Sequence, residues 1–163
     1  MKFYKIKILL LLVFSIQILS AQSNQDVIEA KIINFQKDIV GKLTGHIPIK
    51  GKRKLKSRAS ASERRITADY LMDNLKDIGL DPKRNTYNVQ DKTGKQYLGS
   101  NIYATIPATN DSDEYIVLGA HYDTAVGSPG AVHNATGIAL TQYVADGLIK
   151  LQNRNINFLI VFF

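Results

Sequence analysis

The chain contains no cysteine among its 163 residues. This absence excludes disulfide bonds, thiolate nucleophiles, cysteine-ligated zinc ribbons and a lipoprotein anchor attached through cysteine, although it does not decide the compartment. The composition is 45% hydrophobic, which is enough for a real core and argues against wholesale disorder. The length suits one domain rather than two.

Several common catalytic motifs are also missing from the sequence. It has no His-Glu-x-x-His metalloprotease helix, no Gly-x-x-x-x-Gly-Lys phosphate loop and no Gly-x-Gly-x-x-Gly dinucleotide fingerprint. It has no Gly-x-Ser-x-Gly nucleophile elbow, so a serine hydrolase would need Ser100 or Ser128 in an unusual setting. These classes of enzyme are therefore disfavoured.

The N-terminus has the layout of a secretory signal peptide. Three lysines precede an apolar run over residues 8–19, and the small residues Ser20 and Ala21 follow it. The apolar run is short for a membrane span. We expect export to the periplasm or the medium and cleavage after Ala21, which removes residues 1–21. After cleavage we expect no stable membrane insertion. An uncleaved N-terminal anchor is the alternative.

The basic excess of the chain is concentrated in one loop. Loss of the three N-terminal lysines lowers the formal charge from +7 to +4. Much of the remainder lies in Lys50, Lys52, Arg53, Lys54, Lys56 and Arg58. This cluster has no interleaved aromatic residues and no recognition-helix pattern, and it follows an export signal. We therefore predict a solvated loop and no nucleic-acid partner.

Two amphipathic helices are predicted before the first strand. Apolar residues at steps of four and three indicate a helix over residues 24–43, and Gly45 is a plausible end. A second helix is predicted to begin at Ser60, with Glu63 completing a capping box, and to end at Gly79. We predict that His46, in the loop between them, faces solvent.

The rest of the chain alternates strands and one helix. Arg84–Gln90 and Leu98–Ile106 are predicted as an antiparallel pair at one side of the sheet, and Tyr115–Ala120 as a buried central strand. A helix over Asn134–Gln152 then leads to an apolar strand over residues 156–163, which together indicate a βαβ unit. The residues predicted to face the sheet from this helix are Ile138, Val144, Leu148 and Leu151. The predicted fold is α/β, with a mixed, mostly parallel sheet sandwiched by helices.

The last predicted strand raises a question of completeness. Phe163 ends the sequence, so no loop or helix follows to cover the second face of this apolar strand. A bare apolar face is an aggregation hazard. We expect either a partner on this face or an incomplete domain, and we favour the incomplete domain.

Two of the three histidines lie close to one predicted strand end. His121 and Asp123 share one side of the chain, and a metal-ligating imidazole commonly donates its other N–H to a carboxylate. A loop rich in glycine and proline then brings His133 and Asn134 to the predicted helix start. A shared metal ion is one interpretation. His-x-Asp also occurs by chance, and His133 could contact only water.

The order of several segments resembles a known family. VLGAHYDT, PGAVHNATG and INFLIVFF are similar to successive blocks of the co-catalytic di-zinc exopeptidases, which include bacterial leucyl aminopeptidases and aminopeptidase Y. Upstream, SERRITADYLMDNLKDIGL and NIYATIP resemble the lead-in helix and first strands of that family. The resemblance covers residues 57–163 and predicts the N-terminal part of a zinc exopeptidase-like catalytic domain there. This region follows the predicted signal peptide over residues 1–21 and the predicted helix and basic loop over residues 22–56.

The resemblance implies a function and a set of roles. It implies two zinc ions with a water nucleophile between them, and release of N-terminal amino acids from peptide substrates. His121 matches the first zinc ligand, and Asp123 matches the catalytic carboxylate that orients it.

Two departures from the family pattern change these expectations. His133 stands where the family has an aspartate that bridges both metals, and a neutral imidazole has one lone pair with which to ligate a single zinc ion. The Glu-Glu pair of the family, and its later Asp and His ligands, do not appear before Phe163. We therefore expect one zinc ion or none in this chain, and no peptide hydrolysis by the chain alone. A non-catalytic binding domain and a single-zinc glutaminyl cyclase are the alternatives.

Overall fold

The computed structural model describes residues 24–90 and 92–163. The predicted signal peptide over residues 1–21 lies outside these ranges. Within them, no helix is both long enough and apolar enough to cross a membrane.

Helix α1 covers residues 24–43. The chain divides into two compact units, of which the first extends to Phe35 and the second runs from Gln36 to Phe163. In the second unit, the end of α1 buries Ile39 and Leu43. The predicted end at Gly45 is confirmed, since this residue has a φ of +73° that favours glycine.

Helix α2, Ala61–Asp77, begins after Ser60 as predicted, but the Glu63 carboxylate bonds the Ser60 hydroxyl and not the Ser60 backbone N–H of a full capping box. The Ser60 hydroxyl accepts the backbone N–H of Glu63 at 3.2 Å. The Glu63 carboxylate in turn accepts the backbone N–H groups of Lys56 and Ser57 at 2.9 and 3.2 Å. The helix start is thereby tied to the end of the basic loop. The buried side of the helix consists of Thr67, Ala68, Leu71 and Leu75.

The strands form one mixed sheet of order β1-β2-β4-β3. Their bounds are Lys83–Gln90 for β1, Gln96–Ile106 for β2, Tyr115–Ala120 for β3 and Asn157–Phe162 for β4. The pair β1–β2 is antiparallel at one edge, as predicted. Strands β3 and β4 are parallel and are joined by helix α3, Thr136–Ile149, which confirms the βαβ unit. The remaining pair, β2–β4, is antiparallel.

The core lies on one face of this sheet. Ile102 and Ala104 of β2 and Ile160 and Phe162 of β4 are buried and share a face in the observed register. Helix α2 contacts β2, and helix α3 contacts β2, β3 and β4. On the opposite face Val117 is 60% exposed, so this side of the sheet is largely open within the described residues.

The prediction of a buried central strand at Tyr115–Ala120 is wrong. Among the described residues, strand β3 is an edge strand, and Tyr115 and Val117 are more than half exposed. The reason is that β4, which comes later in the chain, inserts between β2 and β3 and takes the central place. An apolar run indicates a strand but does not give its position in the sheet.

The predicted inner side of helix α3 is partly wrong. Leu151 lies beyond the end of the helix and is 50% exposed, whereas Ile138 is fully buried. The buried positions follow a different stripe: Ile138, Ala139, Thr141, Gln142 and Ala145. The side-chain oxygen of buried Gln142 accepts a hydrogen bond from Asn74 of α2 at 2.9 Å, whereas its side-chain nitrogen has no partner among the described residues.

We predict that Glu63 makes the stability of the fold acid-sensitive. Burial raises the pKa of Glu63, whereas the hydrogen bonds from Lys56, Ser57 and Ser60 lower it. Together the hydrogen bonds outweigh burial, so the pKa of Glu63 is below its ordinary value. The stabilisation is fully present above the unfolded value of about 4.3 and is lost as pH falls through the folded pKa.

Urea unfolding of the wild type and Glu63→Gln between about pH 3 and 7 measures this effect. The wild type should lose its advantage over the variant as the solution becomes acidic. A difference between the two proteins that does not change with pH would contradict the assignment.

Candidate metal centre

The end of strand β3 fixes the backbone of His121. The backbone N–H of Tyr122 donates to the carbonyl of Phe163 at 2.8 Å, and the N–H of Phe163 donates to the carbonyl of Ala120 at 3.2 Å. The parallel ladder therefore continues past the strand end. His121 is held between two residues that are anchored to the neighbouring chain segment.

His121 and Asp123 point to the same side, as their spacing predicts. The Nδ1 atom of His121 lies 2.9 Å from Oδ1 of Asp123. The His121 side chain is 26% exposed and that of Asp123 is 59% exposed. If Nδ1 donates to the carboxylate, Nε2 keeps its lone pair and is the nitrogen available to a metal ion. Tyr122, between them, is buried, and its hydroxyl donates to the carbonyl of Ser100 at 2.7 Å.

The loop after Asp123 turns sharply at Gly130. Its φ is +62°, and a Cβ there would approach within 2.3–2.8 Å of Thr124, Arg58 and the carbonyl of His133. Only glycine fits so close a contact in this conformation. The tight turn allows the following segment to fold back beside the end of β3.

His133 lies in a π-type turn, Ala131–Ala135, and not at the start of an ordinary helix. His133 and Asn134 both have non-helical backbone angles, and the peptide bond between them is cis. The prediction that the helix begins at Asn134 is therefore wrong, since α3 begins at Thr136. The turn presents His133 on the surface beside His121.

The imidazole rings of His121 and His133 are neighbours in an edge-to-face arrangement, and these two residues are referred to below as the facing histidines. Their centroids are 4.7 Å apart, and the ring planes are inclined by 66°. Zn–N bonds of about 2.0–2.1 Å in a tetrahedral site place two imidazole centroids about 5 Å apart. The observed centroid separation of 4.7 Å is close to this spacing. The described residues contain no cluster of three or more possible metal ligands.

One residue that supports this arrangement escaped the sequence analysis. Arg58, predicted to lie in a solvated loop, is fully buried. The backbone N–H of Arg58 donates to the hydroxyl of Thr124 at 2.8 Å. Nothing in the sequence indicated this burial, because Arg58 stands in a run of basic residues. Its neighbour Lys56 in that run is exposed, as predicted. His46 is also exposed, as predicted.

The Arg58 guanidinium donates only to backbone carbonyls. Nε bonds to Tyr122 at 2.8 Å, Nη1 to Leu43 and Pro129 at 2.5 and 2.8 Å, and Nη2 to Gly130 at 3.0 Å. This one side chain thus links the segments that carry His121 and His133. Burial lowers the pKa of Arg58 to about 10, with the charge of Asp123 acting in the opposite direction, so Arg58 remains a cation at neutral pH.

The comparisons agree with the fold and with the family resemblance. Residues 101–163 match the peptidase family M28. No curated protein matches the chain. Together with the observed fold, the family match confirms the resemblance stated from the sequence.

Solved structures share the fold at low sequence identity. A glutaminyl cyclase from Porphyromonas gingivalis has a TM-score of 0.64 and 22% identity, over 80% of this chain and 44% of that chain. A leucine aminopeptidase precursor from Bacteroides thetaiotaomicron has a TM-score of 0.59 and 16% identity, over 78% of this chain and 46% of that chain. A Zn-dependent exopeptidase from Parabacteroides distasonis has a TM-score of 0.58 and 16% identity, over 78% of this chain and 46% of that chain. The chain thus spans less than half the length of these structures.

We predict that Arg58 is among the most important residues for stability. Arg58→Ala leaves four buried carbonyls without their donor and should lower the free energy of unfolding by ~3–5 kcal/mol. Arg58→Lys keeps the charge but loses the planar fork, so it should rescue only part of the loss.

Urea unfolding of both variants is compared with Lys52→Ala, which removes an exposed charge from the same loop. The control should change stability by less than about 0.5 kcal/mol. An Arg58→Ala protein as stable as this control would show that the carbonyl contacts contribute little.

Proposed function

We propose that the chain provides part of the metal-binding site of an exported, zinc-dependent exopeptidase, which removes N-terminal residues from peptides. The observation that carries this proposal is the His121–Asp123 pair facing His133 at the end of strand β3. The match to peptidase family M28 supports the reaction class. Export is supported by the signal-peptide layout of residues 1–21.

Each residue of the pair has a distinct role in this proposal. His121 binds zinc through Nε2, while Asp123 accepts the Nδ1 proton and fixes the tautomer and the orientation of the ring. His133 supplies a second nitrogen from the facing turn. Bound zinc would polarise the peptide carbonyl and lower the pKa of a bound water molecule.

A glutaminyl cyclase is the second candidate function. The specific observation in its favour is that His133 offers a single ligating nitrogen to a metal, so the facing pair suits one zinc ion rather than two. The solved structures of similar fold include glutaminyl cyclases as well as exopeptidases. Both candidates act on the N-terminus of a peptide, and the reaction product distinguishes them.

We predict that zinc binding depends on both facing histidines and on Asp123. His121→Ala and His133→Ala each remove a ligand, and Asp123→Asn should weaken zinc affinity about 10-fold or more because the ring is no longer oriented. Competition with a chromophoric zinc chelator at fixed pH measures the affinity.

The matched control for these variants is His46→Ala, which removes the third histidine of the chain. His46 is exposed in the loop after α1, so its loss should leave zinc affinity unchanged. Equal affinities for His121→Ala and His46→Ala, or no zinc binding by the wild type, would overturn the proposed site.

The activity is tested on the full-length protein. We expect zinc-dependent release of nitroaniline from aminoacyl-nitroanilides, abolished by a chelator and restored by added zinc. Ring closure of N-terminal glutamine without hydrolysis would support the cyclase instead. A protein that binds zinc through His121 but shows neither reaction would overturn both candidates in favour of a non-catalytic binding domain.

A further inference from the structure

A cleft separate from the facing histidines lies between helix α2 and the hairpin of β1 and β2. Its volume is about 550 Å³, which is within the usual range for a small-molecule site. The floor is one face of the hairpin, where Thr86 lies opposite Ser100 in the register. The wall is the first turns of α2, and three arginines line the cleft: Arg64, Arg65 and Arg84.

The electrostatic character of the cleft is strongly positive. No acidic side chain of the described residues lines it. Two carboxylates of α2 already have partners: Asp69 pairs with Arg84 Nη2 at 2.6 Å, and Glu63 accepts the backbone N–H groups of Lys56 and Ser57. Only one of the three arginines, Arg84, therefore pairs with a carboxylate in the described residues, which leaves an excess of positive charge.

The arginines retain unused donors. The Nε atom of Arg84 is buried and has no hydrogen-bond partner among the described residues, although the side chain is 26% exposed. A buried donor without a partner costs free energy, which a bound acceptor would relieve. Arg64 uses Nη1 on the carbonyl of Ala59, and Arg65 is exposed with no ion pair in the described part of the chain.

We propose that this cleft binds a phosphate group carried by a larger molecule. Guanidinium forks match the oxygens of phosphate in pairs, and three forks around one cleft suit a multiply charged oxyanion better than a single carboxylate. The cleft is much larger than one phosphate ion, so the rest of the ligand lies along Leu98 and Thr86 on the floor.

The cleft and the facing histidines lie on opposite sides of one short segment. Tyr122 lines the cleft, whereas His121 and Asp123 point to the other side. Binding of phosphate in the cleft therefore requires neither zinc nor His121. The proposal is independent of the proposed function, and His121→Ala should leave phosphate affinity unchanged.

The test titrates the purified chain with inorganic phosphate at constant ionic strength, by calorimetry or amide chemical shifts. Arg65→Ala and Arg84→Lys should each weaken binding about 10-fold, because each removes charge-assisted hydrogen bonds. Lys37→Ala, which removes an exposed charge from α1, should bind as the wild type does. Thermal unfolding confirms that each variant is folded, and the exposed position of Arg65 makes this variant the decisive one.

Vesicles separate the two sources of the phosphate group. Binding to phosphatidylglycerol vesicles that depends on Arg65 and is displaced by inorganic phosphate would support the proposal with a lipid headgroup as ligand. Phosphate binding without such vesicle binding would support a soluble phosphorylated ligand. The proposal is overturned if neither probe binds in an Arg65-dependent manner.

Discussion

The buried guanidinium of Arg58 is the contact on which the arrangement of the candidate metal centre depends. It joins the carbonyls of Tyr122, Pro129 and Gly130, which belong to the two segments that carry the facing histidines. A buried cation is costly unless its donors are satisfied. Because these acceptors are backbone atoms, Arg58 fixes the path of the chain, and the side chains of His121 and His133 follow from that path.

The same contact explains why the two loops have little freedom. Gly130 must approach Arg58 and Thr124 so closely that no side chain fits. The turn that follows then has to reverse direction within a few residues, which it does through the non-helical backbone of His133 and Asn134. The positions of the backbone segments that carry the two imidazole rings thus follow from the packing around Arg58 and Gly130.

Local patterns predicted the elements that depend on local physics. The N-cap at Ser60 was confirmed because it depends on residues close together in sequence, and the βαβ unit was confirmed because its strand, helix and strand follow one another along the chain. The position of β3 could not be predicted, since it depends on β4, which lies about forty residues later in the chain. Arg58 could not be recognised either, because its burial comes from carbonyls more than sixty residues away.

The central position of β4 also determines when the sheet can be completed during folding. Strands β2 and β3 do not pair with one another, and each reaches the other only through β4. During synthesis the hairpin of β1 and β2 can form first, but its inner edge stays open until β4 has been made. The sheet therefore closes late, by contacts between distant parts of the chain, which is the slow and aggregation-exposed step for sheets of this kind.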